Sequence, residues 1–273
     1  MMDSVIKKMY VLGTGTAVVS KYVNTACVFD DGKDLFLVDG TGGTDVLRCF
    51  DVMNLDWSRL HHGFLSHEHT DHFLGMIWVL RYIGELILDD RYEGDFTLYG
   101  HKEVLDKARK VCQMLLKPQG MALIGDRIHL MPVEHMEEKN ICNYKFEFFD
   151  IGSTKAKQYG FHMVWPDGTR LVFPGDEPLS ESGEQFCDRA DWLLSEAFCL
   201  YRDREIFRPE RYHHMTVRES SLMAEKHQVK NLLLWHTEDE ATYGNRKELY
   251  TKEAAGYYSG KIWVPDDGEI IDL

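Results

Sequence analysis

The stretch Gly63-Phe64-Leu65-Ser66-His67-Glu68-His69-Thr70-Asp71-His72 decides how this chain is read. Its opening, Gly63–Ser66, is a short apolar run of the kind a buried strand presents. From Asp71 to Leu88 the apolar residues return with helical spacing. Between the two, three histidines and an aspartate fall within six residues. His67 and His69, two apart, point the same way from an extended segment. Asp71 and His72 follow as the chain turns into the helix and face a second position close by. Neutral imidazole and carboxylate are good ligands for zinc, manganese or iron. Two such ions ~3.5–4 Å apart can share a hydroxide and clamp both oxygens of a displacement reaction. The bland alternative is a polar loop that happens to be rich in histidine, and four potential ligands at this spacing after a strand count against it. His61 and His62 stand just before the strand and read as surface residues.

Outward from this point the pattern alternates short apolar strands with amphipathic helices. Lys8–Ala17, Thr25–Asp30 and Asp34–Asp39 read as strands, with a turn at Asp31-Gly32. Thr41–Met53 reads as a helix, Phe96–Tyr99 as a strand and Glu103–Leu116 as a helix. In the second half, Ile128–Glu134 and Tyr144–Ile151 read as strands, and Phe161–Trp165 with Arg170–Phe173 as a hairpin around Pro166-Asp167-Gly168. Trp192–Ser195 and Asn231–Trp235 are wholly apolar, as strands buried on both faces are. Thr216–His227 reads as a helix in which Thr216 and Glu219 are placed for a capping box. Asn245–Tyr258 is a further helix, and the chain closes in a hairpin across Asp266-Asp267-Gly268. Two successive sets of strands and helices imply two packed sheets with helices outside. With no long Pro/Ser/Gly linker, residues 1–273 read as one domain.

A composition of 44% hydrophobic residues, with 12% aromatic, supplies a sizeable core. The net charge is −14, from 45 acidic and 31 basic residues. Such a balance counts against large nucleic acids as partners, because their affinity rests on Lys and Arg neutralising phosphates. A small substrate drawn in by metal ions fits better. The six cysteines include no C-x-x-C pair and read as free thiols packed as small hydrophobes in a reducing compartment. The opening Met-Met-Asp-Ser-Val-Ile-Lys-Lys carries no signal-peptide run. Nothing elsewhere approaches the ~20 apolar residues that cross a bilayer. A cytoplasmic protein without a membrane partner is the expectation.

The motif His67-x-His69-x-Asp71-His72 resembles the signature of the metallo-β-lactamase superfamily, and the resemblance covers nearly the whole chain. Leu12-Gly13-Thr14-Gly15 is similar to the family's opening strand and turn, and Leu37-Val38-Asp39-Gly40 to its second motif, whose Asp is usually structural. The resemblance implies an α/β fold, a four-layer αββα sandwich in which two mixed sheets pack face to face with helices outside. It also implies a metal site in which Asp176, from Pro174-Gly175-Asp176, bridges two ions and His236, from Trp235-His236-Thr237, ligates the second. Within the superfamily the chain is most similar to ribonuclease Z and its small phosphodiesterase relatives. Those enzymes pair a strand-end Glu with a His in an H-x-T motif as a proton-delivering couple. Leu194-Ser195-Glu196-Ala197 and His214-Met215-Thr216 match these positions, although the first motif more often begins with His where Ser195 stands.

One element departs from the family. The strand end Phe148-Phe149-Asp150-Ile151-Gly152-Ser153-Thr154 should supply a third histidine to the first metal, and Gly152 stands about where it belongs. Three readings stay open: the first ion is held by His67, His69, Asp176 and water; His135 or Glu134 substitutes; or a single ion sits on Asp71, His72, Asp176 and His236. Losing one of three imidazoles predicts lower occupancy at the first position than at the second. Lys155, Lys157 and Gln158 follow the gap and could meet a phosphate, but a solvated loop is the plainer reading. His101, His129, His162 and His227 read as surface residues.

The resulting expectation is a metal-dependent hydrolase with one or two divalent ions per chain, zinc first and manganese or iron as alternatives, acting on a small phosphodiester. The metal ligands are His67, His69, Asp71, His72, Asp176 and His236. Asp71, Glu196 and His214 form the catalytic set, with a metal-bound hydroxide as nucleophile and His214, held by Glu196, protonating the departing oxygen. Processing of tRNA fits less well, since the family's processing members grip tRNA with a long Gly- and Pro-rich arm that this chain lacks. Hydrolysis of an ester, thioester or lactone on the same fold, and a metal-binding module with little catalysis, are the competing readings. Family members commonly form homodimers; nothing in the sequence marks an interface.

Overall fold

The computed structural model describes residues 7–273, so the first six residues, read above for targeting, lie outside the described residues. In chain order the elements begin β1 (Lys8–Gly13), β2 (Ala26–Asp30), β3 (Leu35–Val38), α1 (Asp45–Val52), β4 (Leu60–Phe64), α2 (Thr70–Leu88) and β5 (Phe96–Gly100). They continue α3 (Lys102–Leu115), α4 (Pro118–Ala122), β6 (Ile128–Pro132), β7 (Glu137–Ile141), β8 (Tyr144–Asp150), β9 (Tyr159–Val164), β10 (Arg170–Phe173) and α5 (Glu181–Glu184). The last set is β11 (Trp192–Glu196), α6 (Arg204–Phe207), α7 (Val217–Lys226), β12 (Asn231–Trp235), α8 (Arg246–Ala254), β13 (Lys261–Trp263) and β14 (Ile270–Asp272). Among the described residues no helix is long and apolar enough to cross a membrane.

The chain forms two compact units. The first comprises the described residues up to Gly13, then Asn24–Glu134 and Gly268–Leu273. Its sheet runs β14-β1-β2-β3-β4-β5-β6. The β14 to β3 pairings are antiparallel, and β3 to β6 are parallel. Each parallel step needs a crossover, and α1, α2 and α3 with α4 supply them. Every residue of β2 and β3 is buried, which explains their unbroken apolar runs.

Helix α2 lies against the loop that leaves β3. Gly40 N–H donates to His72 O at 2.8 Å, and Gly75 N–H to Thr41 O at 3.0 Å. A Cβ on Gly75 would fall 1.5 Å from Gly40 O, so only glycine permits this approach. Asp39 and Thr41 take left-handed backbone conformations, at φ 58° and 64°. For a β-branched residue such as Thr41 this is strain held in place by its surroundings.

The second unit comprises Thr14–Val23 and His135–Asp267. Its sheet runs β13-β12-β11-β10-β9-β8-β7, an antiparallel meander from β7 to β10 followed by parallel β10, β11, β12 and β13. One cluster of its core packs Phe149 face to face on Phe186, ring centroids 4.2 Å apart, beneath α7 residues Val217 and Ala224. Phe146, Phe148, Phe161, Phe173 and Trp235 form a connected set of ring contacts. The carboxyl ends of β10, β11 and β12 lie side by side, where open parallel sheets place their ligands.

Several boundaries differ from the sequence reading. β4 starts at Leu60, so His61 and His62 belong to the strand rather than preceding it. β1 stops at Gly13, because Thr14 N–H and Gly15 N–H both turn to Val23 O. β7 was not expected: its charged Glu137-Glu138-Lys139 run suits the exposed edge of a sheet and hides the strand in composition. The closing segment is not a hairpin. β13 pairs with β12 and β14 with β1, in different sheets. Asp267 is held by Thr14 Oγ1 at 2.7 Å and Val23 N–H at 2.6 Å, long-range contacts that no local turn signal reveals.

Candidate functional site

In the first unit β4 delivers Ser66 and His67 at its carboxyl end, and the chain turns at once into α2. His67, Asp71 and His72 are buried, and His69 is the half-buried N-cap residue. The ligand atoms of His67 and His69 lie within 4.8 Å of each other, and Asp71 Oδ2 is 3.2 Å from His72 Nε2. Behind them sits Asp39. Its Oδ2 is 2.8 Å from His72 Nδ1, and its Oδ1 accepts Ser66 N–H at 2.8 Å. Ser66 Oγ donates to the same carboxylate and stands 2.9 Å from His67 Nδ1. The network therefore assigns the Nδ1 protons of both rings inward, so Nε2 of each is the atom that could meet a metal. Asp39, read from sequence as structural, is the carboxylate that orients His72. Ser66 carried no signal in the sequence beyond its place before the cluster. Glu68 turns away to pair with Lys107.

In the second unit Asp176 follows β10, Glu196 ends β11 and His236 follows β12, all buried. Asp176 Oδ2 is 3.6 Å from His236 Nε2. His236 is left-handed at φ 54°, and the residue after it is pinned by buried Arg246, which donates to Thr237 Oγ1 at 2.9 Å and Thr14 Oγ1 at 2.7 Å. His214 lies two residues before the Thr216 cap of α7, whose capping box with Glu219 is present as the sequence implied. Its Nδ1 is 2.8 Å from Asp176 O and 3.3 Å from Glu196 Oε2. Glu196 Oε1 accepts Met215 N–H at 2.6 Å. Burial pushes the Glu196 carboxyl well above its usual range, against the pull of His236 and the Met215 N–H. Burial also lowers the His214 imidazole, opposed chiefly by Asp176. Both directions favour the uncharged side chains.

Gly152 is left-handed at φ +78°, and a Cβ there would meet Ser180 Cβ at 3.1 Å. The backbone is built for glycine, and a histidine would be strained. His135 does not turn inward; it is exposed, and its Nδ1 accepts Asp150 N–H at 3.1 Å. Glu134 is exposed too. The solvated-loop reading fails for Gln158, which is fully buried and donates from Nε2 to Asp176 Oδ1 at 2.7 Å. Lys155 is tied to Glu177 at 3.2 Å and to Tyr212 O at 2.6 Å. Of the remaining histidines, His101 is no surface residue: it is buried and caps α3. His129 pairs with Asp95, and His227 with Glu184 and Asp188.

Imidazole nitrogens with fixed tautomers beside buried carboxylates make a donor chemistry that fits a divalent ion. The sequence profile of the family described as Anti-Pycsar protein Apyc1 matches residues 7–252. Ribonuclease Z of Parabacteroides distasonis is 24% identical over 298 residues, covering 92% of this chain and 94% of that protein. Among solved structures, the metallo-β-lactamase fold protein YhfI of Bacillus subtilis superposes with a TM-score of 0.76 at 20% identity, covering 98% of this chain and 99% of that one. A diphosphatase of the PhnP family gives a TM-score of 0.74 at 15% identity over 98% of both chains. The fold is that of the metallo-β-lactamases, α/β with two mixed sheets of seven strands among the described residues.

Proposed function

The chain belongs to the family of the Anti-Pycsar protein Apyc1, and on that premise we propose that it is a metal-dependent hydrolase of a small phosphodiester. The observation that carries this reading is the couple of buried Glu196 and half-buried His214, anchored on the backbone of Asp176. Ester or lactone hydrolysis has no need of such a couple. The ribonuclease Z and diphosphatase names of its relatives support phosphorus as the centre attacked.

In this proposal His67, His69, Asp71, His72, Asp176 and His236 are the residues that would hold one or two divalent ions, zinc being the first choice. An ion bound there lowers the pKa of a coordinated water and neutralises charge on phosphoryl oxygens. Asp39 and Ser66 keep His67 and His72 in the tautomers that ligation requires. His214 has Nδ1 committed to Asp176 O and Glu196, so Nε2 is the atom available to the departing oxygen, and it delivers a proton there when the ring carries one on both nitrogens. Glu196, held by Met215 N–H, keeps that ring in place.

The substrate is a small cyclic or nucleotide-derived diester. A net charge of −14 opposes a polyanionic chain and is compatible with a substrate bearing one or two phosphates. Rates on bis-p-nitrophenyl phosphate beside a panel of thioesters and lactones test the class. Glu196→Ala and His214→Ala should each lower phosphodiesterase kcat by roughly a hundredfold or more with unchanged metal content. Intact activity in both variants would remove the proton-delivery assignment.

A further inference from the structure

Beside Asp176 the fold buries an amide. Gln158 is fully buried, and its Nε2 donates to Asp176 Oδ1 at 2.7 Å. Its Oε1, on the same planar amide, is buried with no hydrogen-bond partner among the described residues. Reversing the amide would set its oxygen against the carboxylate, acceptor to acceptor, so the orientation is fixed. The neighbouring backbone is shaped around this side chain. A Cβ on Gly175, left-handed at φ +88°, would lie 2.4 Å from Gln158 Nε2 and 2.9 Å from its Cδ. Gln158 O also accepts Ile151 N–H at 3.1 Å, tying the residue to the strand end at Gly152. A buried carbonyl oxygen with no protein donor beside a carboxylate calls for a donor or a cation to answer it.

We propose that Gln158 takes the part of the missing imidazole, its Nε2–H holding Asp176 and its Oε1 serving as an oxygen ligand to an ion that Asp176 holds. The inference rests on the metal reading above. A neutral amide oxygen is a harder donor than imidazole, so this position binds zinc less tightly and discriminates less against manganese.

Isothermal titration of the metal-free full-length protein with Zn²⁺ and with Mn²⁺ tests it, using the unmodified chain, Gln158→Leu and Gln158→Glu, each checked for fold by circular dichroism. The unmodified chain should bind two ions, one tightly and one more weakly. Gln158→Leu should weaken the second step at least tenfold. Gln158→Glu keeps the oxygen and adds a charge, so the weaker step should tighten at least tenfold. If Gln158 acted only by holding Asp176, the same variant would weaken binding, because it removes the N–H and opposes two carboxylates. That result would overturn the proposal, and the comparison survives even if Gln158→Leu does not fold. Binding of a single ion by the unmodified chain, or two steps unchanged in both variants, would overturn it as well. No binding of either ion by the unmodified chain would instead overturn the metal reading itself.

Discussion

Asp39→Asn is the sharpest probe of how the fold prepares its donors. The carboxylate serves three groups at once: Ser66 N–H at 2.8 Å, Ser66 Oγ at 2.8 Å and His72 Nδ1 at 2.8 Å. Asparagine keeps the volume and tolerates the left-handed backbone at φ 58°, so strain is not the variable. It has one acceptor oxygen in place of two. If that oxygen stays on Ser66, the amide NH₂ faces His72 Nδ1–H, donor to donor. If it turns to His72, the clash moves to Ser66 N–H. A buried donor left unsatisfied costs about 1–3 kcal/mol, which corresponds to a fall in Tm of roughly 2–10 °C for a chain of this size. The other escape is for His72 to change tautomer and accept from the amide. That puts the proton on Nε2, the ligand atom. Either way divalent-ion affinity should fall about 10–100-fold, some 1.4–2.8 kcal/mol. Urea unfolding with a chelator present reads the first effect, and zinc competition against a chromophoric chelator reads the second. An unfolding midpoint and a zinc affinity both within error of the unmodified protein would refute this account of Asp39.

Three further outcomes follow from the geometry. Gly75→Ala places a methyl 1.5 Å from Gly40 O and 2.5 Å from Gly40 C, backbone atoms that cannot swing aside; the cost should reach about 3 kcal/mol or more. A thermal melt shifted by less than ~2 °C would contradict it. Burial raises the Cys112 thiol to about 11 and Cys187 to about 12, while Cys142 is only half-buried. A thiol reagent such as DTNB should therefore label one cysteine quickly in the native protein and six in denaturant, and two or more fast thiols would speak against the packing. His162 is lowered from 6.5 to about 4, first by burial and then by Arg170 and Lys145, and Arg170 Nε donates at 3.2 Å to its Nε2, which must stay unprotonated. Glu147, 3.9 Å away, does not reverse this. The unfolded chain takes up the proton first, so this stabilisation is complete above about pH 6.5 and fades as pH falls toward 4, by at most about 3 kcal/mol. His162→Gln should flatten that slope in pH-dependent urea unfolding, and an unchanged slope would exclude the mechanism.

The His67–His72 cluster was legible from sequence because its geometry is local. A strand end running into a helix N-terminus places four donors within six residues, whatever the rest of the chain does. The capped helix after His214 was legible for the same reason, as Thr216 and Glu219 bond within one turn. Asp176, Glu196 and His236 enter as candidates by resemblance, and periodicity alone would mark only the apolar strands they end or follow. What the sequence hid are the relations that depend on distant segments. β13 and β14, a few residues apart, join different sheets because Asp267 is captured by Thr14 and Val23 more than two hundred residues away. Asp39 acquires its role only when the Gly40–Gly75 contact brings α2 onto the loop after β3. Gln158 looked like a solvated loop residue until folding set it under Gly175 against Asp176. The identity of the donors thus lies in the sequence, because ligand chemistry belongs to residue types and short spacings. Their tautomers, partners and protonation are tertiary, because burial and long-range hydrogen bonds set them.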